Sequence, residues 1–155
     1  MIDNRAMLEI GAGIGTVGIS LALLGHKVVV SDREPALLQT MQDNIDANAC
    51  QRTCKVLNLD WAEGAESPKM RTLLYRQKFG CLIGADVVYS PEMCDLIVRL
   101  LPIVLPTGGH GLFVNPIKHR NGAEVKKKIS NSNTNKYELS ERECLQISKW
   151  GSGKC

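Results

Sequence analysis

The chain has 155 residues, enough for one domain with a single core, and its 44% apolar and 23% charged residues exclude a disordered or fibrous protein. No window approaches about 18 uninterrupted apolar residues, Met1-Ile2-Asp3-Asn4-Arg5 does not read as a signal peptide, and the six cysteines lack Cys-x-x-Cys spacing. The expectations are therefore no membrane association, no metal, and reduced thiols in the cytoplasm or nucleus, with a net charge of +3 that concentrates its bases beyond residue 66.

Ala6–Ile10 reads as a strand buried on both faces. It runs into Gly11-Ala12-Gly13-Ile14-Gly15, and Thr16–Leu24 reads as a largely apolar helix ended by Gly25. Lys27–Ser31 is a second strand, delivering Asp32 at its end. This arrangement suits an adenosine-containing cofactor. The glycines let the backbone approach the ligand, the helix N-terminus faces it, and the Asp32 carboxylate accepts hydrogen bonds from ribose hydroxyls.

Two cofactor classes compete. Gly13-x-Gly15-x-x-Gly18 satisfies the dinucleotide fingerprint G-x-G-x-x-G, which would make the chain a nicotinamide-dependent oxidoreductase. Against this, Glu9 lies inside a strand that is usually apolar in dinucleotide proteins. Pairing Gly11 with Gly13 puts Thr16 at the third position, and pairing Gly13 with Gly15 leaves Asp32 early. Glu-x-Gly-x-Gly-x-Gly with an acid at the next strand end looks instead like S-adenosylmethionine binding. A carboxylate at Glu9 would serve near that cofactor's ammonium, directly or through water.

Pro35 suits a first helical position, and the helix it opens runs to about Asn48 with Leu37, Leu38, Met41 and Ile45 at helical spacing. Cys54–Leu59 is strand three. The polar stretch 62–78 holds only Leu73, Leu74 and Tyr75 as a short helix. Phe79–Ala85 is strand four. Pro91–Leu101 is a helix stopped by Pro102 or Pro106, and Gly111–Asn115 is strand five. A helix at Ala123–Ile129, a loop at Ser130–Asn135, and an antiparallel pair from Tyr137–Ser140 and Cys144–Lys149 complete the chain. Lys118, Arg120 and Lys126–Lys128 read as a solvated face or as a docking patch for an acidic partner or RNA. No aromatics interleave with them, so the base-stacking pattern is missing.

Alternating strands and helices predict one α/β domain over residues 1–155, a Rossmann-like, doubly wound and mostly parallel sheet. The ligand then belongs at the carboxyl ends of the strands. The motifs sit there: Glu9–Gly15, Asp32, Asp60-Trp61 and Asp86–Tyr89.

With those four strand ends in view, the chain resembles the class I, seven-strand S-adenosylmethionine-dependent methyltransferases. More narrowly it is similar to the lysine-methyltransferase-like family, methyltransferase family 16. The matching strings are Leu8–Gly15, Val30-Ser31-Asp32, Leu57-Asn58-Leu59-Asp60-Trp61 and Gly84-Ala85-Asp86-Val87-Val88-Tyr89, the last carrying the family's acid-x-x-aromatic signature. The resemblance implies protein-lysine N-methylation by in-line transfer. Glu9, Gly11, Gly13 and Gly15 would contact the methionine part of the cofactor and Asp32 its ribose. Asp60 and Trp61 would flank the adenine. Ala85, being small, would let the cofactor cross strand four, and Asp86 and Tyr89 would line the methyl-transfer site. The implied partner is a protein substrate, faintly a translation factor or a chaperone.

Enzymes that methylate bases resemble one another in an Asn/Asp-Pro-Pro-aromatic motif after strand four. Asp86-Val87-Val88-Tyr89 has no prolines, and Asn115-Pro116-Ile117 is a decoy because it follows strand five; both argue against a nucleic-acid substrate. The chain departs from the family at both ends and carries Gly80 where an acid often stands. The expectation is a truncated methyltransferase fold, with a catalytically idle cofactor- or partner-binding module as the alternative function.

Overall fold

The computed structural model describes residues 6–63, 67–68, 78–115 and 145–147. One sheet holds β1 (Met7–Ile10), β2 (Val28–Asp32), β3 (Cys54–Asn58), β4 (Cys81–Ala85), β5 (His110–Val114) and β6 (Leu145–Ile147). Their order is β3-β2-β1-β4-β5-β6. The first five strands are parallel, and β6 is antiparallel to β5. The chain winds outward from β1 to β3, returns to lay β4 against the free side of β1, and winds outward again. That reversal opens a crevice at the carboxyl ends of β1 and β4. The doubly wound sheet expected from the alternating pattern is the one observed.

Side-chain alternation sorts β1 between two cores. Leu8 and Ile10 face a cluster with Leu82, Phe113, Ile97, Leu101 and Val104, supplied by β4, β5 and α3 (Pro91–Val104). The opposite face carries Val28, Val30, Ile19, Ala22, Met41 and Ile45, covered by α1 (Thr16–Leu23) and α2 (Pro35–Ala47). Burial on both faces is what a parallel sheet requires.

Glu9 lies opposite Val30 in the register with β2 and is 2% exposed. Its Oε2 accepts a 2.8 Å hydrogen bond from the Gly18 backbone N–H, in the first turn of α1. Gly15, the N-cap of α1, has no side chain to do this, so a buried acid from the sheet supplies the missing acceptor.

Gly18 also sets the distance between α1 and the sheet. A Cβ there would lie 2.5 Å from Glu9 Oε2 and closer still to Val30 Cγ1. The third glycine of the apparent dinucleotide fingerprint is thus a packing residue. Gly18→Ala would gain about 1 kcal/mol of helix propensity, but it forces a methyl into two anchored groups, an overpacking cost of about 1–3 kcal/mol. The net expectation is a loss of up to about 2 kcal/mol in urea unfolding; a variant more stable than the unchanged chain would contradict this packing account.

The sequence offers two stops for the helix beginning at Pro91. α3 runs through Pro102 to Val104. A proline there gives up one intrahelical bond, at about 3 kcal/mol. Leu100, Leu101 and Val104 remain buried on either side of it, and the Leu105 N–H still reaches the Leu101 carbonyl at 2.9 Å. Burial of that face outweighs the local penalty. The Lys78 ammonium donates to the Pro102 and Ile103 carbonyls, where a helix C-terminus favours a cation.

The readings at Leu73–Tyr75, Ala123–Ile129, Ser130–Asn135 and Tyr137–Ser140, and the basic stretch 118–128, lie outside the described residues. Within Cys144–Lys149 the described strand is β6, and its observed partner is β5. Among the described residues, no helix is long and apolar enough to cross a membrane, and no group of three or more His, Cys, Asp or Glu is placed to hold a metal.

Candidate functional site

At the crevice lies a cleft of about 230 Å³. Six of the residues singled out from sequence line it: Gly11, Asp32, Asp60, Trp61, Asp86 and Tyr89. They come from four strand ends, and local bonds draw those ends together. The Leu59 N–H donates to the Asp32 carbonyl at 3.0 Å, joining the ends of β3 and β2. The Ala12 N–H donates to the Ser31 carbonyl at 2.9 Å, tying the glycine loop to β2.

Gly11 leaves β1 at φ +59°. A Cβ there would fall 2.8 Å from Val87 Cγ1 and 3.3 Å from Trp61 Cζ2. Both the left-handed backbone and the crowding demand glycine. The result is bare backbone between the Trp61 ring and Val87. Trp61 opens a short 3₁₀ turn, Trp61–Glu63. Asp60 caps that turn, its Oδ1 accepting from the Ala62 N–H at 2.9 Å. The indole is half-buried and packs against the core around Leu8 and Ile10.

Asp32 is fixed by three backbone donors. Its Oδ1 accepts from the Arg33 and Glu34 N–H groups at 2.8 and 3.1 Å, and its Oδ2 accepts from Gly13 at 3.1 Å. One carboxylate therefore holds the strand-two turn, the glycine loop and the cleft wall. Asp32→Ala would release the loop and remove a carboxylate from the cleft wall. Charge-assisted bonds of about 1.5–3 kcal/mol predict a loss of S-adenosylhomocysteine affinity of about tenfold or more, read by calorimetry. Unchanged affinity in the folded variant would remove Asp32 from the site.

Asp86 ends the β4 wall at φ +54°, a backbone that side-chain-bearing residues seldom adopt. Its N–H donates to the Val114 carbonyl at 2.7 Å. Val87 and Val88 are buried in the core below, and Tyr89 emerges 45% exposed. Ser90 then caps α3 by accepting from the Met93 N–H at 3.4 Å. With Ser90 in that role, Asp86 is not the cap of α3.

Four candidate residues lie off this cleft wall. Gly13 and Gly15 shape the loop behind it, Ala85 ends β4 exposed, and Glu9 is buried beneath α1. Burial raises the Glu9 carboxyl from 4.5 to about 7, against the lowering effect of the Gly18 hydrogen bond. Sequence reasoning passed over Leu59, Val87, Met93 and Leu96, which give the cleft its apolar lining. It set Asn115 aside as part of a decoy motif, yet the Asn115 Oδ1 accepts from the Val88 N–H at 3.0 Å. Its position at the end of strand five was the available signal.

The fold and this cleft define the class. The glycopeptide N-methyltransferase MtfA, in a structure complexed with S-adenosyl-L-homocysteine, superposes with a TM-score of 0.54 at 17% identity, covering 70% of this chain and 44% of that one. The CcbJ methyltransferase from Streptomyces caelestis gives 0.56 at 19%, with the same coverages. The architecture is the Rossmann-like fold of class I methyltransferases. More narrowly, the chain belongs to the lysine methyltransferase family, whose model matches residues 2–132.

Among its relatives, protein N-lysine methyltransferase METTL21A of Danio rerio is 35% identical over 104 residues, 64% of this chain and 44% of that protein. EEF1A lysine methyltransferase 3 of Mus musculus is 28% identical over 123 residues, 79% and 50%. Protein-lysine N-methyltransferase rrg1 of Schizosaccharomyces pombe is 31% identical over 126 residues, 76% and 40%. The chain spans about half the length of these relatives.

Proposed function

We propose that this chain forms the cofactor-binding core of an S-adenosylmethionine-dependent protein-lysine N-methyltransferase. One observation carries the reading: Asp32, Trp61 and Asp86 meet in a single cleft around the bare backbone of Gly11. These residues suit the cofactor's parts. The glycine loop offers room for the methionine moiety, Asp32 an acceptor for ribose hydroxyls, and Trp61 a stacking face for adenine with Asp60 beside it.

When bound, S-adenosylmethionine supplies an electrophilic methyl group. The protein's share is alignment and dehydration. The acceptor lysine arrives charged, with a reference pKa of about 10.4. Asp86 receives and orients the ammonium. The apolar wall of Leu59, Val87, Met93 and Leu96 disfavours that charge and promotes release of the proton. Tyr89 presents a ring to the cationic centre, worth about 0.5–2 kcal/mol. The neutral amine, its proton lost to solvent, would then attack the methyl carbon in line as the carbon–sulfur bond breaks and S-adenosylhomocysteine leaves.

The acceptor class we propose is a protein, with a translation factor first in line because one relative is named for EEF1A, and a chaperone second. The compartment we propose is the cytoplasm or nucleus, where thiols stay reduced.

The test has two stages. Calorimetry with S-adenosylhomocysteine, and with NADH as control, checks the cofactor class: heat from NADH alone overturns the reading. Methyl-labelled S-adenosylmethionine is then supplied with purified elongation factor 1A or a cell lysate, and the label is located by peptide mass spectrometry. Label on lysine side chains supports the proposal, and label confined to nucleic acid overturns it. Cofactor binding with no transfer to any acceptor would favour the idle binding module.

A further inference from the structure

We infer that Asn115 is a positioning residue for the acceptor side of the cleft, holding the Asp86–Tyr89 segment in its working shape. The inference rests on the proposed role of Asp86. The segment is unusual backbone: Asp86 turns left-handed directly after β4, and the next two residues must still bury their valine side chains.

Two bonds from the end of β5 hold this shape. The Asp86 N–H donates to the Val114 carbonyl. Two residues on, the Val88 N–H donates to Asn115 Oδ1. In a parallel ladder, every second N–H of one strand finds a carbonyl on its neighbour. Here the second of these acceptors is a side-chain amide, standing in for the backbone carbonyl that a longer β5 would present.

Val88 is nearly wholly buried and the bond itself is part-buried, so access of water to it is restricted. A buried donor without an acceptor is strongly disfavoured. Loss of the Asn115 carbonyl therefore drives the Val88 peptide to seek another partner. Asp86 and Tyr89 lie within two residues of that peptide, and both line the cleft. The apolar neighbours do not restore the shape: Val87 is held by contact with Gly11 and Gly84, which fixes its side chain but not the direction of the next N–H.

The test uses two ligands that differ only at the methyl-transfer position. S-Adenosylhomocysteine has a bare thioether there, while sinefungin has a carbon bearing a protonatable amine. Their affinity ratio reads the Asp86 wall and is insensitive to a general loosening of the fold, which weakens both. The ratio is measured by calorimetry for the unchanged chain and for D86N, N115L and N115D.

The expected result is a preference for sinefungin in the unchanged chain, lost in D86N and reduced about tenfold in N115L, the scale of one hydrogen bond to a charged group. N115D keeps an acceptor oxygen in place and should keep the preference. A preference lost in D86N but intact in N115L overturns the inference while leaving the role of Asp86 standing. A chain with no preference, or a D86N variant that keeps it, overturns the role of Asp86, and the inference falls with it. If N115L does not fold, hydrogen exchange in the unchanged chain decides: a protected Val88 amide is expected, and one exchanging at the rate of free backbone refutes the bond.

Discussion

Asp86→Asn is expected to suppress methyl transfer by about ten- to a hundredfold, the range set by losing a charge-assisted hydrogen bond of about 1.5–3 kcal/mol in the reacting complex. S-Adenosylhomocysteine affinity should change by no more than about threefold, since the residues proposed to hold the cofactor lie elsewhere in the cleft. Asparagine is preferable to alanine here for a backbone reason. Position 86 has φ +54°, a region that Asn and Asp tolerate better than other side-chain-bearing residues. Alanine would add strain to the loss of charge, and the two effects would be inseparable. Single-turnover methylation of a lysine-bearing acceptor, beside calorimetry on the same preparation, separates chemistry from binding. Retained turnover in D86N would exclude Asp86 from the methyl-transfer step.

The second large effect concerns stability and pH. Glu9 titrates near 7 in the folded chain because burial disfavours its ionised form. Unfolded, it returns to the ordinary value of 4.5. The folded state thus binds the proton more tightly. The associated stability is fully present below about pH 4.5 and is lost as pH rises through about 7. At 1.36 kcal/mol per pKa unit, the loss is about 3 kcal/mol. Glu9→Gln keeps a side-chain carbonyl for the Gly18 N–H and never ionises. It should match the unchanged chain near pH 4, exceed it by about 3 kcal/mol near pH 8, and flatten the profile between. Urea unfolding across that range is the measurement. Parallel profiles for the two chains would show that Glu9 does not remain buried and protonated as described.

Much of the fold was legible because its signals are local. Apolar runs ending in glycine or aspartate mark parallel strands. Their alternation with helical spacing implies the doubly wound order, which places Asp32, Asp60 and Asp86 at one edge. The helix end at Pro102 was less legible, because the signal weighs one lost bond while the structure weighs the buried leucines around it. Glu9 was read toward a ligand, since a carboxylate near a nucleotide motif has a familiar use there, and Gly18 entered only as the third glycine of a dinucleotide fingerprint that other residues argue against. Their mutual contact depends on the distance between α1 and the sheet, which is not written in either residue. Asn115 was set aside for standing after strand five rather than strand four. The register of β4 with β5 brings those two ends side by side, a relation that chain order conceals.

The left-handed turn at Asp86 also bears on how this protein would respond to directed evolution. Glycine at that position would relax the backbone, and a library screened only for thermal endurance would favour it. The same exchange would erase the carboxylate from the cleft. Selection for robustness and selection for turnover therefore pull position 86 in opposite directions. The aspartate at this left-handed turn is the residue to hold constant when the rest of the chain is improved.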